Sequence, residues 1–189
     1  MKKFALAAAI TLAATSSFAA DTNTNTNTKE WYEGLGLTLG YAAVDVDGFD
    51  SPDTESNFTL GANYTFENGL LVGFDYAPGL FEDSASAFAP GASASISLEA
   101  DALTTYVGYQ AVNGVRGGLG LTFVTVEANA SLTNAFGSAS ASDETDGTLI
   151  TPFVGYKFAN NMTVDGKIAF GDVDGTDMVI TSIAVGYVF

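Results

Sequence analysis

The stretch Thr181-Ser182-Ile183-Ala184-Val185-Gly186-Tyr187-Val188-Phe189 ends the chain and decides the fold. Bulky residues occupy the odd-numbered positions from 183 to 189, and mostly small or polar residues lie between them. A repeat of two is the period of a β-strand and not of a helix. Chain ends usually fray into water, so a bare terminal phenylalanine indicates apolar surroundings. We therefore predict a strand with hydrocarbon against its bulky face and a lumen of small residues behind it.

The same alternation recurs through the chain from residue 31 onward. It predicts strands over residues 31–44, 56–66, 70–77, 115–126, 148–158 and 162–171, a strand that ends near Gln110, and the C-terminal strand. The pattern does not fix where the strand before Gln110 begins, because Ile96 and Leu98 fall on the opposite face of the strand from Leu103. A bulge or a long loop would each explain that change. Pro152 lacks an amide donor, so we expect it at a bulge or near a strand end.

The connections between these strands alternate between long and short. Three are tight-turn sequences: Glu67-Asn68-Gly69, Val112-Asn113-Gly114 and Ala159-Asn160-Asn161. Two of the longer ones, residues 84–96 and 137–142, are rich in Ala and Ser and predict flexible or weakly β-forming loops. Tight turns on one rim and long loops on the other are typical of membrane barrels. The pattern predicts an all-β, membrane-spanning, antiparallel up-and-down barrel of about eight strands, with both termini on the rim of the turns.

The aromatic residues favour a membrane barrel over a soluble one. Once strand directions are assigned, they form two rings. The ring near the turns contains Trp31, Tyr64, Phe66, Tyr109, Tyr156, Phe158, Tyr187 and Phe189, and the ring near the loops contains Tyr41, Phe58, Tyr76, Phe123 and Phe170. Such girdles are expected where aromatic rings lie at both membrane interfaces. A soluble barrel would need its large residues inside, yet the opposite face is rich in glycine.

The first residues have the three parts of a secretory signal peptide. Lys2 and Lys3 precede an apolar run, and a small-residue stretch ends at Ala19, so residues 1–19 are the predicted signal. A membrane anchor is the alternative, but the run is shorter than the roughly 18 residues that a spanning helix needs. Residues 20–30 contain an Asn/Thr repeat that predicts a flexible tail. Residues 31–189 form the predicted barrel.

Charge and composition exclude several function classes. The chain has 6 basic and 22 acidic residues; loss of Lys2 and Lys3 with the signal leaves 6 − 2 = 4 basic residues and a formal charge of 4 − 22 = −18. Such a surface repels nucleic acid. The chain has no histidine, which removes Ser-His-Asp triads and histidine-assisted metal hydrolysis, and no cysteine, which removes disulfides and thiolate chemistry. We therefore expect neither enzymatic activity nor nucleic-acid binding.

Charged residues that face the predicted lumen are the first candidate site. By parity they are Asp75, Arg116, Lys157, Asp165 and Lys167. Lys157 is expected diagonal to Asp165 across the third turn, within side-chain reach. A barrel of about eight strands is just filled by side chains, and charges buried there must be paired. The set predicts a salt-bridged plug, with a gated ion path as the alternative that the lumenal glycines keep open.

Acidic connections on the loop rim are the second candidate site. The pattern D-V-D-G-x-D occurs twice, as Asp45, Asp47 and Asp50 in the first connection and as Asp172, Asp174 and Asp177 in the last. Clustered carboxylates suit hard divalent cations such as Ca²⁺ or Mg²⁺. The spacing is not that of an EF-hand, and Asp-Gly is also an ordinary turn dipeptide. Both a cation site and solvated turns therefore remain open, and bound cations could bridge to lipopolysaccharide.

The chain resembles the small OmpA/OmpX-like outer-membrane barrels over residues 31–189. The resemblance is carried by the alternation, the girdles and the C-terminal residues Ile183, Val185, Tyr187 and Phe189, which look like the sorting signal that the barrel-assembly machinery reads in that family. It implies a bacterial outer-membrane location, loops outside, periplasmic termini, contact with lipid and lipopolysaccharide, and a monomer. The expected role is structural or surface interaction through acidic loops; the alternative is a narrow, porin-like pore for small solutes or ions.

Two departures from the family limit what the resemblance implies. No peptidoglycan-binding domain follows the barrel in this sequence, so the tethering role of longer relatives is not expected. The loops are acidic, so we do not expect the adhesion to sulfated polyanions that is suggested for some relatives.

Overall fold

A computed structural model describes residues 32–46 and 56–189. They form a closed barrel of eight strands in chain order, each antiparallel to its neighbours, with the first strand paired to the last. The strands are β1 Leu35–Val46, β2 Ser56–Thr65, β3 Leu70–Ala89, β4 Ala92–Gln110, β5 Val115–Asn134, β6 Gly137–Lys157, β7 Met162–Val173 and β8 Thr176–Val188. The predicted fold class is confirmed. The predicted signal peptide, the tail, Trp31 and residues 47–55 lie outside the described residues.

The bulky faces of the strands point outward. Leu37, Leu119 and Ile183 are each about half exposed or more, whereas the alternating Thr38 and Ala184 are buried in the lumen. A soluble barrel would show the opposite arrangement, because its large apolar side chains would fill the core. An apolar outer wall around a small and polar interior is the arrangement that lipid requires. No helix in the described part of the chain has the length and apolar character needed to cross a membrane.

Three tight turns close one end of the barrel, which we call the turn end. In each turn an asparagine side-chain carbonyl accepts the amide two residues ahead: Leu70 N–Asn68 Oδ1 3.0 Å, Val115 N–Asn113 Oδ1 3.2 Å and Met162 N–Asn160 Oδ1 3.2 Å. The residue after each asparagine has positive φ: Gly69 (85°), Gly114 (90°) and Asn161 (66°). Asparagine and glycine tolerate that conformation at little cost. The three predicted turns therefore form where the sequence places them.

Aromatic pairs mark the turn end on the outer wall. Tyr–x–Phe triplets end β2, β6 and β8 and bring two rings edge to face, with centroid distances of 4.9 Å for Tyr64–Phe66, 5.0 Å for Tyr156–Phe158 and 5.2 Å for Tyr187–Phe189. At the other rim, Tyr41 and Phe58 pack edge to face at 5.8 Å. Aromatic belts at two heights are the expected anchors of a barrel in a bilayer.

The middle of the chain departs from the predicted loops. Strands β3 to β6 have 20, 19, 20 and 21 residues, whereas the other four have 10 to 13. Residues 84–96 and 137–142 are strand apart from the turn at 90–91, so they are β-forming, as one of the two expectations had it, and the prediction that they are loops is wrong. Strict Ala/Ser alternation has strand period, and pairing with neighbours satisfies its backbone. We call residues 82–89 of β3, 92–99 of β4, 127–134 of β5 and 137–144 of β6 the extension.

The change of parity in β4 comes from neither a bulge in that strand nor a long loop. β4 pairs with β5 without a break from Ala92 to Gln110, so Ile96 and Leu98 continue the lumen-facing side of the sheet. The irregularity is in β3, where the register with β4 shifts between Ala77 and Phe81. There Gly79 has a φ of 53° and its amide donates to Asp101 Oδ1 at 2.8 Å.

Pro152 lies inside β6, and neither a bulge nor a strand end marks it. It pairs regularly with Leu119 of β5. On the other side, the β6–β7 pairs run from Phe153–Lys167 directly to Ile150–Phe170 in the same register. The ladder is therefore interrupted next to the proline, which has no amide to donate.

Candidate functional site

The lumen contains a layer of paired charges. Lys167 on β7 forms an ion pair with Asp75 on β3, and both side chains are more than nine-tenths buried. These strands are four apart in a closed barrel of eight, so the pair spans the lumen. Arg116 on β5 contacts Asp165 on β7, with Nε–Oδ1 at 3.0 Å and both side chains almost fully buried. Opposite charge offsets part of the cost of burial in both pairs, but the buried nitrogens of Arg116 and the oxygens of Asp165 have no hydrogen-bond partner.

Neighbouring groups orient the Asp75–Lys167 pair. Thr38 Oγ1 donates to Asp75 Oδ1 at 3.1 Å. Lys167 Nζ also lies 4.5 Å from the centroid of the Tyr106 ring, a cation–π distance. The lumen also contains a chain of threonine hydroxyls from β4 to β6, Thr104–Thr122–Thr151, with both oxygen–oxygen distances 2.7 Å. Sequence reasoning did not single out Tyr106 or these threonines, although inward parity could have identified them.

Lys157 does not join the charge layer. Lys157 pairs with Thr163 and therefore lies diagonal to Asp165, as predicted, but Asp165 forms its ion pair with Arg116. Lys157 lies near the end of β6, where it helps to line an open cavity of about 470 Å³ between the turns. Gly155 lies between Arg116 and Asp165 in the strand register and leaves room for the Asp165 carboxylate, because a Cβ there would overlap it.

The lumenal glycines make room for large side chains. A Cβ added at these positions would overlap the side chain opposite. The pairs are Gly61 with Asp75, Gly155 with Asp165, Gly73 with Tyr106, and Gly118 with Phe153. Tyr106 and Phe153 in turn pack at a ring distance of 5.1 Å and cluster with Leu71. The glycines thus belong to a packed interior, and the expectation that they leave water-filled space is not met at these positions.

An apolar layer separates the charges from the end of the barrel that carries the extension. Leu80, Leu149 and Val124 are 0%, 0% and 1% exposed. They belong to a cluster whose buried members come from seven of the eight strands: Ala42, Ala77, Leu80, Ala102, Val124, Leu149, Ala169, Val173, Met178 and Ile180. Between this layer and the ion pair lies a cavity of about 30 Å³, enough for water alone.

The second D-V-D-G-x-D segment forms a hairpin turn. Asp174 and Gly175 both have positive φ (52° and 80°), Val173 pairs with Thr176, and the Gly175 amide donates to Asp172 Oδ1 at 3.0 Å. This is the two-residue turn that Asp-Gly favours. Asp177 lies opposite Asp172 in the ladder. Asp45 is exposed at the end of β1, while Asp47 and Asp50 lie outside the described residues.

Metal binding stays a prediction for these aspartates. Within residues 32–46 and 56–189, no group of three or more acidic side chains is placed to hold a metal ion.

A row of glutamates crosses the base of the extension. Strand register places one glutamate from each of the four long strands side by side: Glu82, Glu99, Glu127 and Glu144. All four are exposed on the outer face. Directly opposite like charges, about 5 Å apart, destabilise a sheet, so the row is maintained at a cost. No sequence motif marks it, because successive members are 17 to 28 residues apart and only register aligns them.

The predicted assembly signal lies at the seam where the barrel closes. Ile183, Val185 and Tyr187 face outward and pair with Tyr41, Leu39 and Leu37 of β1. Phe189 follows β8; its amide donates to Leu35 O at 2.9 Å and its carbonyl accepts the Gly34 amide at 2.9 Å. The C-terminal strand therefore completes the barrel by bonding to the first.

Comparison with solved structures identifies the class of fold. No family model matches the sequence, and no curated protein is similar enough to count as a relative. Ail, the attachment invasion locus protein of Yersinia pestis, in complex with the heparin analogue sucrose octasulfate, superposes with a TM-score of 0.60 at 18% identity, over 83% of this chain and 99% of that one.

Two further structures resemble this chain to different degrees, and the first of them supports the same fold. A second Ail structure gives a TM-score of 0.54 at 17% identity over the same shares of the chains. Neisserial surface protein A is more distant, with a TM-score of 0.42 at 14% identity, over 82% of this chain and 97% of that one. The fold is therefore that of the small eight-stranded outer-membrane β-barrels.

Proposed function

We propose that this protein is a non-enzymatic, monomeric protein of the bacterial outer membrane with a structural and surface-interaction role. The turn end and both termini face the periplasm, and the extension projects outside. The lumen serves as a packed, salt-bridged interior that holds the barrel in register. The acidic side chains outside the membrane provide the contact with the surrounding surface.

The glutamate row is the observation that carries this proposal. Glu127 follows Phe123, a residue of the predicted loop-side girdle, by four positions, so the row lies roughly 13 Å beyond that girdle along the strand. It faces sideways, toward the headgroups of the outer leaflet. Lipopolysaccharide is anionic, so contact requires divalent cations between carboxylates and lipid phosphates. An extended row suits such bridging, because each ion can take ligands from both partners.

Stability measurements in bilayers that contain lipopolysaccharide test this role. We expect Mg²⁺ or Ca²⁺ to raise the free energy of unfolding of the wild type, and EDTA to reverse the gain. The variant E82Q/E99Q/E127Q/E144Q should be insensitive to both and more stable than the wild type in EDTA, since the repulsion is gone. The variant D172N/D174N/D177N is the matched control and should respond like the wild type. Equal cation responses from the wild type and the glutamine variant would refute the proposal.

The packing of the lumen argues against the alternative role as a pore. An ion would have to cross the layer of Leu80, Leu149 and Val124, where it would lose its hydration without gaining a partner. We therefore expect no steady unit conductance in planar bilayers. The variant L80A/L149A/V124A, which thins that layer, is the comparison. Steady unit conductance from the wild type would favour the pore.

A further inference from the structure

The far end of the extension presents two hairpin tips side by side. The β3–β4 turn is at Pro90-Gly91 and the β5–β6 turn is at Ala135-Phe136. Ala92 pairs with Asn134, so both turns lie at the same height. Phe88 is 80% exposed and Phe136 is 101% exposed, whereas most outward residues of the barrel wall are near half. Two phenylalanines thus stand in water at the point farthest from the barrel.

The tips are uncharged although the protein is strongly acidic. Residues 84–98 and 128–142 contain no Asp, Glu, Lys or Arg, in a chain with a formal charge of −16. The closest carboxylates on the inner strands, Glu99 and Glu127, are about eight residues from the turns, or roughly 26 Å along the strand. That distance exceeds the Debye length of about 8 Å at physiological salt. The tips therefore meet other surfaces without electrostatic attraction or repulsion.

The backbone of the two inner strands at the tips can enter an apolar environment at small cost. The inner strands β4 and β5 are paired on both sides up to the turns. Within the second turn, the Phe136 amide donates to Asn134 Oδ1 at 2.8 Å. Unsatisfied backbone groups are the main obstacle to burial in lipid, and hairpins remove most of them.

The surroundings of the two phenylalanines favour a lipid surface over a protein. Binding sites for proteins concentrate affinity in packed pockets with polar or charged partners around them. Here the adjoining residues, among them Ala89, Ser93 and Asn134, are small or uncharged. Insertion into a bilayer that faces the tips requires only apolar anchors.

We propose that the two hairpin tips, with Phe88 and Phe136 as anchors, insert into the interfacial zone of an apposed, zwitterionic phospholipid bilayer. This rests on the proposed function only in requiring that the extension face outward. The protein then joins its own membrane to a second one through aromatic side chains, while the glutamate row stays at the surface of the first.

Vesicle binding by the full chain in nanodiscs tests the proposal, because a nanodisc exposes the tips whichever way the protein faces in cells. We expect nanodiscs to co-float with phosphatidylcholine vesicles. The variant F88S/F136S should bind at least about tenfold more weakly, since most of the apolar anchor is lost. V112S, which changes an equally exposed apolar residue at the turn end, should bind like the wild type. Equal binding by F88S/F136S and the wild type would overturn the proposal.

A depth measurement separates insertion from other contacts. In a W31F background, the variant F136W should shift its emission to the blue and be quenched by brominated lipid confined to the added vesicles. Paired nanodiscs without vesicle binding would overturn the proposal in favour of a second copy. Labelling of A135C on intact cells by an impermeant thiol reagent, with V112C as the unlabelled control, checks orientation separately. Failure there would contradict the proposed function and leave the vesicle result standing.

Discussion

At the scale of single residues, the buried lumenal charges form two close pairs of opposite sign. Asp75 and Lys167 meet across the barrel, and Thr38 and Tyr106 occupy the remaining directions around them. A buried ion pair contributes little net stability relative to an apolar pair, but a single buried charge is costly. The pair therefore specifies the arrangement of β3 and β7 more than it stabilises the barrel.

Removing one member of the Asp75–Lys167 pair should lower the stability of the barrel more than removing both members. We expect Lys167→Met to lower the free energy of unfolding by about 3–5 kcal/mol, because Asp75 stays buried and unpaired. The double variant D75L/K167M should recover most of the loss. Lys157→Met at the turn end is the control, with a change within about 0.5 kcal/mol. Urea titration of barrels in lipid vesicles measures all three, and similar effects of Lys167→Met and Lys157→Met would contradict the assignment.

Gly155 and Gly166, on the neighbouring strands β6 and β7, give a second prediction about single residues. A Cβ at Gly155 would overlap the Asp165 carboxylate, whereas a Cβ at Gly166 meets only Val154 O at 3.9 Å. We therefore expect Gly155→Ala to cost about 1–3 kcal/mol through overpacking. Gly166→Ala, on the outer wall, should be nearly neutral. The difference in unfolding free energy between these two variants tests whether the glycines exist to accommodate lumenal side chains.

At the scale of elements, the extension is a two-faced sheet. Its lumen-side face carries Ala with Ile96 and Leu132, and its outer face carries Ser, Thr and Asn above the glutamate row. Ser95 and Ser131 bond across the strands at 2.8 Å. The Ala/Ser repeat is thus a strand pattern with small side chains, stabilised by neighbouring long strands and not by a core.

Shortening both hairpins should leave the barrel intact. Replacing residues 84–97 and 129–142 with Asn-Gly joins positions that already pair, Asp83 with Leu98 and Ala128 with Asp143. We expect a folded, heat-modifiable barrel with an unchanged or higher denaturation midpoint, because shorter connections cost less to close. Shortening only one hairpin should expose the other to proteolysis. A variant that cannot fold would mean that the extension holds the barrel together.

At the scale of the whole molecule, basic and acidic residues occupy different parts of the protein. Of the basic residues that the structure describes, Arg116 and Lys167 are buried in the lumen and Lys157 lies at the turn end. The exposed charges beyond the opposite rim are acidic. A polyanionic ligand is attracted by exposed basic residues, whereas acidic residues repel it.

Sulfated polyanions should therefore not bind the extension. Ail was solved with the heparin analogue sucrose octasulfate, but we expect no saturable heat from that ligand with this protein at physiological salt. Replacing Glu82, Glu99, Glu127 and Glu144 with lysine should create binding by converting the row to a basic one. Calorimetry of both forms in nanodiscs measures this, and saturable binding by the wild type would show that the acidic distribution does not decide ligand choice.

Much of the fold could be predicted from the sequence, because it depends on local periodicity and turn chemistry. Alternation assigned the outward face from Leu37 to Ile183, and the Asn-containing turns formed where they were expected. The length of the long strands was missed, because Ala/Ser repeats carry too little hydrophobic contrast to separate strand from loop. Only the tertiary structure decided which charges pair and that four glutamates form a row, since inter-strand register and barrel closure bring together residues that lie far apart in the chain.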